Sequence, residues 1–225
     1  MANAPAPMFL NDDGTASMAT AFLTSHHGLR RDLRRFKVAL AATDVASRAD
    51  ALRDEWKSYH ATLHGHHTVE DTAMFPSMRA QHPALAGTID KLTEDHRHID
   101  PLLAGGDEAF AALPKTDAAA ALVAELLALL EAHLAVEEKE IVPLLREARQ
   151  FPAPSSDAEA EMYAGGFAWS AHGVAPEVLK QVFAMLPESV TTRLPSARAA
   201  FDARCERVWG TSKAGASKTA DPDWI

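Results

Sequence analysis

Along the first two-thirds of the chain, apolar residues recur at three- and four-residue steps, the period of a helix that buries one face. From about Thr15 to Ala42, Phe22, Leu29, Leu33, Phe36 and Leu40 share a face. From about Ser47 to Met78 the stripe is Leu52, Trp56, Tyr59, Leu63 and Met74, with Pro83 close behind. A third helix begins near Pro83 and aligns Leu85, Ile89, Leu92, Ile99 and Leu103. Pro101 lacks the donor a helix interior needs and should kink or interrupt it. The fourth runs from about Asp117 to Arg149, with Thr116 as N-cap and Leu122, Leu126, Leu130, Ile141 and Leu144 in register. Short connectors between long amphipathic helices predict an all-α fold, an antiparallel up-down four-helix bundle over residues 15–150.

After Gln150 the pattern changes. Phe151 to Ser156 reads as a Pro/Ser linker, and Gly165-Gly166 and Gly173 are expected to break the chain again. Glu177 to Met185 and Pro195 to Trp209 read as shorter helices, so residues 157–210 are expected to form a small helical cap on the bundle rather than a second catalytic domain. Residues 211–225 read as a polar, mobile tail.

Composition narrows the function. The 225 residues carry a formal net charge of −9, which disfavours non-specific nucleic-acid binding, since that needs clustered Lys and Arg. Cys205 is the single cysteine, so no intrachain disulfide forms and a reducing cytoplasm is expected. Met1 to Leu10 has no basic residue ahead of an apolar run and does not read as a signal peptide. The most apolar stretch, Ala118 to Val136, contains Glu125, Glu131 and His133, which predicts an amphipathic helix rather than a membrane span.

The apolar stripes are interrupted by polar residues at a few points. His26 lies on the first stripe, His66 and Glu70 on the second, His96 on the third, and His133 and Glu137 on the fourth. A buried charge or imidazole without a partner is costly, and histidines and carboxylates that converge resolve that cost by coordinating cations. A His and a Glu four apart sit about one turn, ~6 Å, along one face and can reach the same pair of ions. The arrangement repeats: HHTVEDTAMFP from His66 to Pro76 and HLAVEEKEIVP from His133 to Pro143. In both, Glu follows His by four and Pro by ten. The chain therefore reads as two helical hairpins, each giving one His and one His-x-x-x-Glu, a near-symmetric set for two metals side by side. His67 and Asp100 are candidates for an extra ligand or for a residue backing one, and Asp71 and Glu138 for carboxylates that orient imidazoles. His27 is expected at the surface, His60, His64 and His98 in solvent or behind the ligands, His172 in a loop, and Cys205 as a small buried hydrophobe.

The pattern H…HxxxE…H…HxxxE, carried by His26, His66/Glu70, His96 and His133/Glu137, resembles the hemerythrin-like, or HHE cation-binding, family. The resemblance covers roughly Thr15 to Arg149 and extends to the HHGLRRDL and EDTAMFP segments. It implies two non-haem iron ions, carboxylate- and oxo-bridged, whose remaining positions are completed by imidazoles. It also implies a small ligand such as O2, NO or peroxide. The residues alone suit iron, manganese or zinc, and iron is favoured only by the resemblance. The chain departs from animal hemerythrins where Asp100 stands four after His96 in place of a histidine. It departs again where Glu138 stands five after the last His, with Glu137 in better helical phase. A thinner ligand set favours sensing or redox chemistry over reversible O2 carriage. Three readings follow: a sensor or redox-response protein, a di-iron oxidoreductase acting on peroxide or a small organic substrate, and a metal-free interaction bundle.

Overall fold

The computed structural model describes residues 9–210. Residues 1–8, most of the Met1 to Leu10 segment, and 211–225, the expected tail, lie outside the described residues. The long helices are α1 (Met18–Leu40), α2 (Val45–Val69), α4 (Ala86–Ala111) and α5 (Asp117–Glu140). Between α2 and α4 come a π-helical turn at Glu70–Met74, α3 (Phe75–Gln81) and a 3-10 turn at Pro83–Leu85. The remainder is α6 (Val142–Leu145), α7 (Asp157–Ser170), α8 (Pro176–Ala184), α9 (Glu188–Thr191) and α10 (Leu194–Trp209). Among the described residues there is no strand.

The two prolines of the repeat explain where the long helices change. Pro76 cannot donate the backbone bond an α-helix needs four residues back, and just before it the chain widens to a π-turn, in which Phe75 N–H reaches the Glu70 carbonyl. That turn shifts the helical phase. Phe75 and Met78 become the buried residues, while Met74, expected on the face, is only half-buried. Pro143 acts in the same way on the fourth helix, which stops at Glu140 rather than near Arg149 and leaves Leu144 exposed. Pro101, by contrast, does not interrupt α4. Pro101 and Arg97, whose carbonyl loses its partner, are both exposed, so water can replace the missing bond.

Gly165-Gly166 does not break the chain either: α7 runs through both glycines. Two glycines cost roughly 2 kcal/mol in helix propensity. The helix is held instead by its ends and by burial. Ser156 Oγ accepts from Glu159 N–H, and the Glu159 carboxylate accepts from Ser155, a capping-box arrangement. Ala160, Ala164, Phe167 and Ala168 are buried, and α7 packs on α10.

The chain divides into two compact units, and the division falls inside α1, after Gly28. In the unit Leu29–Glu140, α2 packs on α4 and α4 on α5. Trp56 stacks on Phe110 with ring centroids 4.5 Å apart, and Phe36 of α1 packs edge-on against Trp56, Tyr59 and Phe110. Gly106 of α4 is where the indole fits: an added Cβ would lie 1.9 Å from Trp56 Cζ2. Polar pairs along α2 and α4 run in opposite chain order, Trp56 with Asp107, His67 with Asp100, and Asp71, in the following turn, with His96. Arg30, which is buried, donates to Glu131 and Glu138 of α5. α5 is long and apolar enough to cross a membrane by length and composition, but its buried face includes His133 and Glu137. Among the described residues it buries one face in this unit.

The other unit joins residues up to Gly28 with those from Ile141 onward. Ala19 and Leu23 of α1 pack with Val142, and the Met18 N–H donates to the Ala148 carbonyl at 2.7 Å. A second apolar cluster gathers Ala164, Phe167, Val178, Val182, Val190 and Leu194 from α7 to α10. Cys205, expected buried, is half-buried in α10.

Candidate metal centre

Helix geometry decides which way consecutive histidines point. Neighbouring residues on a helix are turned by about 100°, so His66 and His67 cannot face the same point. Each lies in a different group of ligand-type atoms. His67, Glu70, His96 and His133 each place one ligand atom within 4.8 Å of the other three, and all four are buried. His66, Glu70 and Glu137 meet the same condition, so Glu70 belongs to two groups. The Glu70 Oε1 lies 2.9 Å from His66 Nε2 and the Oε2 lies 3.4 Å from His96 Nε2. One carboxylate oxygen thus faces each group, as a bridging carboxylate requires. His26, on α1 in the other unit, is fully buried with its ring 4.4 Å from that of Phe22.

In the first group the rings are packed and backed. His67 stacks on His96 at 4.0 Å between centroids, and Phe75 lies parallel to His96 at 5.8 Å. The Nε2 atoms of His96 and His133 are 3.3 Å apart, and His133 Nε2 is 3.5 Å from Glu137 Oε1. Two donors bound to one ion at about 2.1 Å stand roughly 3.0–3.4 Å apart, so these spacings suit a shared ion. On the far side of each ring stands a carboxylate. Asp100 Oδ1 is 3.1 Å from His67 Nδ1, Asp71 Oδ2 is 3.0 Å from His96 Nδ1, and Asp95 Oδ2 is 3.6 Å from His133 Nδ1. At hydrogen-bond distance, as for Asp100 and Asp71, a carboxylate at Nδ1 fixes the ring's orientation and leaves the Nε2 lone pair for a cation, whereas His133 Nδ1 makes no hydrogen bond among the described residues.

At His67 the electrostatics agree with that use. Burial, together with the neighbouring His96, His66 and His133, pushes His67 down to about 2, so its imidazole is neutral. Its Nε2, buried, has no hydrogen-bond partner among the described residues. Neither Glu70 oxygen makes a hydrogen bond of adequate geometry, despite their close approaches to imidazole nitrogens. At His96, burial pulls downward but is outweighed by the Glu70 and Asp71 carboxylates, which raise it to about 8. Buried donors without hydrogen bonds, on residue types that ligate hard and borderline cations, fit a metal and do not fit a self-satisfied polar core.

Most of the residues singled out from sequence lie in these groups, and the backing is the larger surprise. His67 and Asp100 act as a pair, ring and carboxylate. Asp71 does back an imidazole, that of His96, whereas Glu138 accepts from Arg30. Asp95 was not anticipated; the signal available was its place directly before His96. His27, expected at the surface, is half-buried with its Nε2 donating to the His172 carbonyl at 3.1 Å, and nearby Arg30 is buried. His172 does lie in a loop, after α7, with its ring edge-on to Phe201. His60 pairs with Asp107, His64 is exposed near Asp100, and His98 bonds its own helix at the Glu94 carbonyl.

Comparison with known proteins gives one finding. The family model of the hemerythrin HHE cation-binding domain matches residues 17–145. That span takes in both ligand groups and the whole of α1. No curated protein and no solved structure matches the chain.

Proposed function

The chain belongs to the hemerythrin HHE cation-binding family, and from that premise we propose that it holds two non-haem iron ions and binds O2, NO or peroxide at them, in sensing or in a redox response. One ion is assigned to His67, Glu70, His96 and His133. The other is assigned to His66, Glu70 and Glu137, with His26 supplied by α1 as the sequence pattern requires. The observation that carries the reading is the sharing of Glu70 between two donor groups, one oxygen toward each. A single-ion site has no use for two such groups.

Iron supplies the redox and small-ligand chemistry when bound. The rest is done by the chain. His67, His96 and His133 offer Nε2 donors, and Asp100 and Asp71 hold the first two rings in place through Nδ1. Glu70 and Glu137 bring the negative charge that two cations need and that would otherwise be costly in a dry interior. Phe75, stacked along His96, is buried and helps keep water from the centre.

We read α1, α2, α4 and α5 as an antiparallel up-down bundle over residues 15–150, with the helices of residues 157–210 as an extension to it. The opposed order of pairs along α2 and α4 supports that topology. With one cysteine and no expected disulfide, we place the protein in the cytoplasm. The test is metal analysis of the purified protein, with visible spectra under air and after reduction. About two irons per chain are expected, with an absorption that reduction bleaches. His66→Ala and Glu137→Ala should each lower bound iron sharply; wild-type iron in both variants sinks the assignment. Turnover of peroxide over many equivalents, instead of a stable adduct, would move the protein to the oxidoreductase class.

A further inference from the structure

We infer that the C-terminal extension is part of the metal-binding machinery, with Trp169 of α7 the positioning residue for His26. The inference rests on the di-iron reading and adds to it a cause for where one ligand stands. Gly28 lies in the interior of α1, where a glycine weakens a helix unless something needs the missing side chain. Something does. A Cβ at position 28 would lie 2.7 Å from Trp169 Cζ2 and 2.8 Å from Cη2, so the indole sits directly on bare helix backbone.

The neighbouring residue carries a second tie. His27 Nε2 donates to the His172 carbonyl at 3.1 Å, just past the end of α7. Gly173, at φ +90°, turns the chain there, and a Cβ on it would come within 3.4 Å of the same Nε2. Two consecutive positions of α1 are therefore fastened to the end of α7 and the loop after it. The residue before them is His26. Positions 26 and 28 are turned by about 200°, so His26 faces away from the indole. The ring acts as a stop against the back of the turn that carries the histidine.

The stop is itself braced. Phe167 and Ala168, just before Trp169, are buried, and α7 packs on α10. An alanine at position 28 would need about 0.7 Å of give to reach an ordinary contact at 3.4 Å. Metal–donor distances tolerate only about 0.2 Å. A displacement of that size on the helix turn of His26 is enough to spoil a ligand.

The experiment is a Co(II) titration of metal-free full-length protein, followed by calorimetry and the visible d–d bands, with far-UV circular dichroism as the check on folding. Wild type is expected to take up two ions. Gly28→Ala should keep its helix content and bind one of the two at least tenfold more weakly. Adding Trp169→Phe, whose shorter ring makes room for the methyl, should restore most of that loss. Trp169→Ala alone, which removes the stop without crowding the core, should also weaken one ion and keeps the test open if Gly28→Ala does not fold. Gly28→Ala or Trp169→Ala with both ions at wild-type affinity would overturn the inference. A folded double variant with no recovery would overturn it too. Wild type that binds no metal would instead overturn the di-iron reading on which it rests.

Discussion

Gly106→Ala is the substitution whose effect the structure determines most directly. Trp56 is fully buried, stacked on Phe110 at 4.5 Å, edge-on to Phe36 at 5.7 Å, and tied by its Nε1 to Asp107 Oδ1 at 2.9 Å. A methyl on residue 106 would lie 1.9 Å from Cζ2 and 2.4 Å from Cε2. Restoring ordinary contact needs about 1.5 Å of movement, and the ring is held by neighbours on several sides. Overpacking of this kind costs about 1–3 kcal/mol, here at the upper end. Alanine returns ~1 kcal/mol through helix propensity, leaving a net loss of ~2 kcal/mol. For a chain of this size that lowers the melting temperature by about 4–8 °C. Gly65→Ala is the internal control. It lies in α2, its added Cβ meets nothing within 4 Å, and it should stabilise by up to ~1 kcal/mol. Thermal melts of the metal-free proteins at 222 nm compare the two. If Gly106→Ala melts as high as Gly65→Ala, the close approach of α2 and α4 at the indole is not as described. Because the same helix pair stacks His67 on His96, Gly106→Ala should also weaken metal binding.

Two further predictions concern the backing carboxylates and the cap of α7. Asp100→Asn keeps the side-chain shape but removes the charge behind His67, and should weaken metal binding about 10–100-fold in a chelator-competition assay; unchanged affinity would remove Asp100 from the site. Ser156→Ala should cost about 1 kcal/mol in thermal stability by deleting the N-cap of α7. Glu159 is held down to about 2 by the Ser155 hydroxyl, then the Tyr163 hydroxyl and the Ser155 N–H. Its folded value lies below its ordinary 4.5, so its contribution is present above that pH and is lost as pH falls through about 2. Protection factors at the first turn of α7, which divide out the intrinsic pH dependence of exchange, should therefore fall on acidification in wild type and be low at all pH values in Glu159→Gln. Equal pH dependence in both proteins would refute this account of the cap.

The long helices were legible because their stripes repeat at the helical period over many turns. Leu29, Leu33 and Phe36 in α1 and Leu126 and Leu130 in α5 had to face an interior whatever their partners were. His26, His96, His133, Glu70 and Glu137 were legible for the same reason, as polar residues in phase with those stripes. What misled the reading was local chemistry overridden by its surroundings. Gly165-Gly166 reads as a break, yet burial of Ala164 and Phe167 and the Ser156 cap hold α7 through it. Pro101 reads as a kink, yet it lies on an exposed face where water can replace the lost bond.

Sequence by itself determined that this is a helical protein with histidines and carboxylates in its interior, because periodicity and polarity are properties of one chain segment at a time. It put His66 on the inward stripe and left His67 between an extra ligand and a residue behind one, since adjacent residues differ by about 100°. The π-turn at Glu70 and the pairing of α2 with α4 placed each of them in a group of ligand-type atoms around Glu70, with Asp71 and Asp100 behind the rings of His96 and His67. Those are relations between segments far apart in the chain, and only packing brings them within reach of one another.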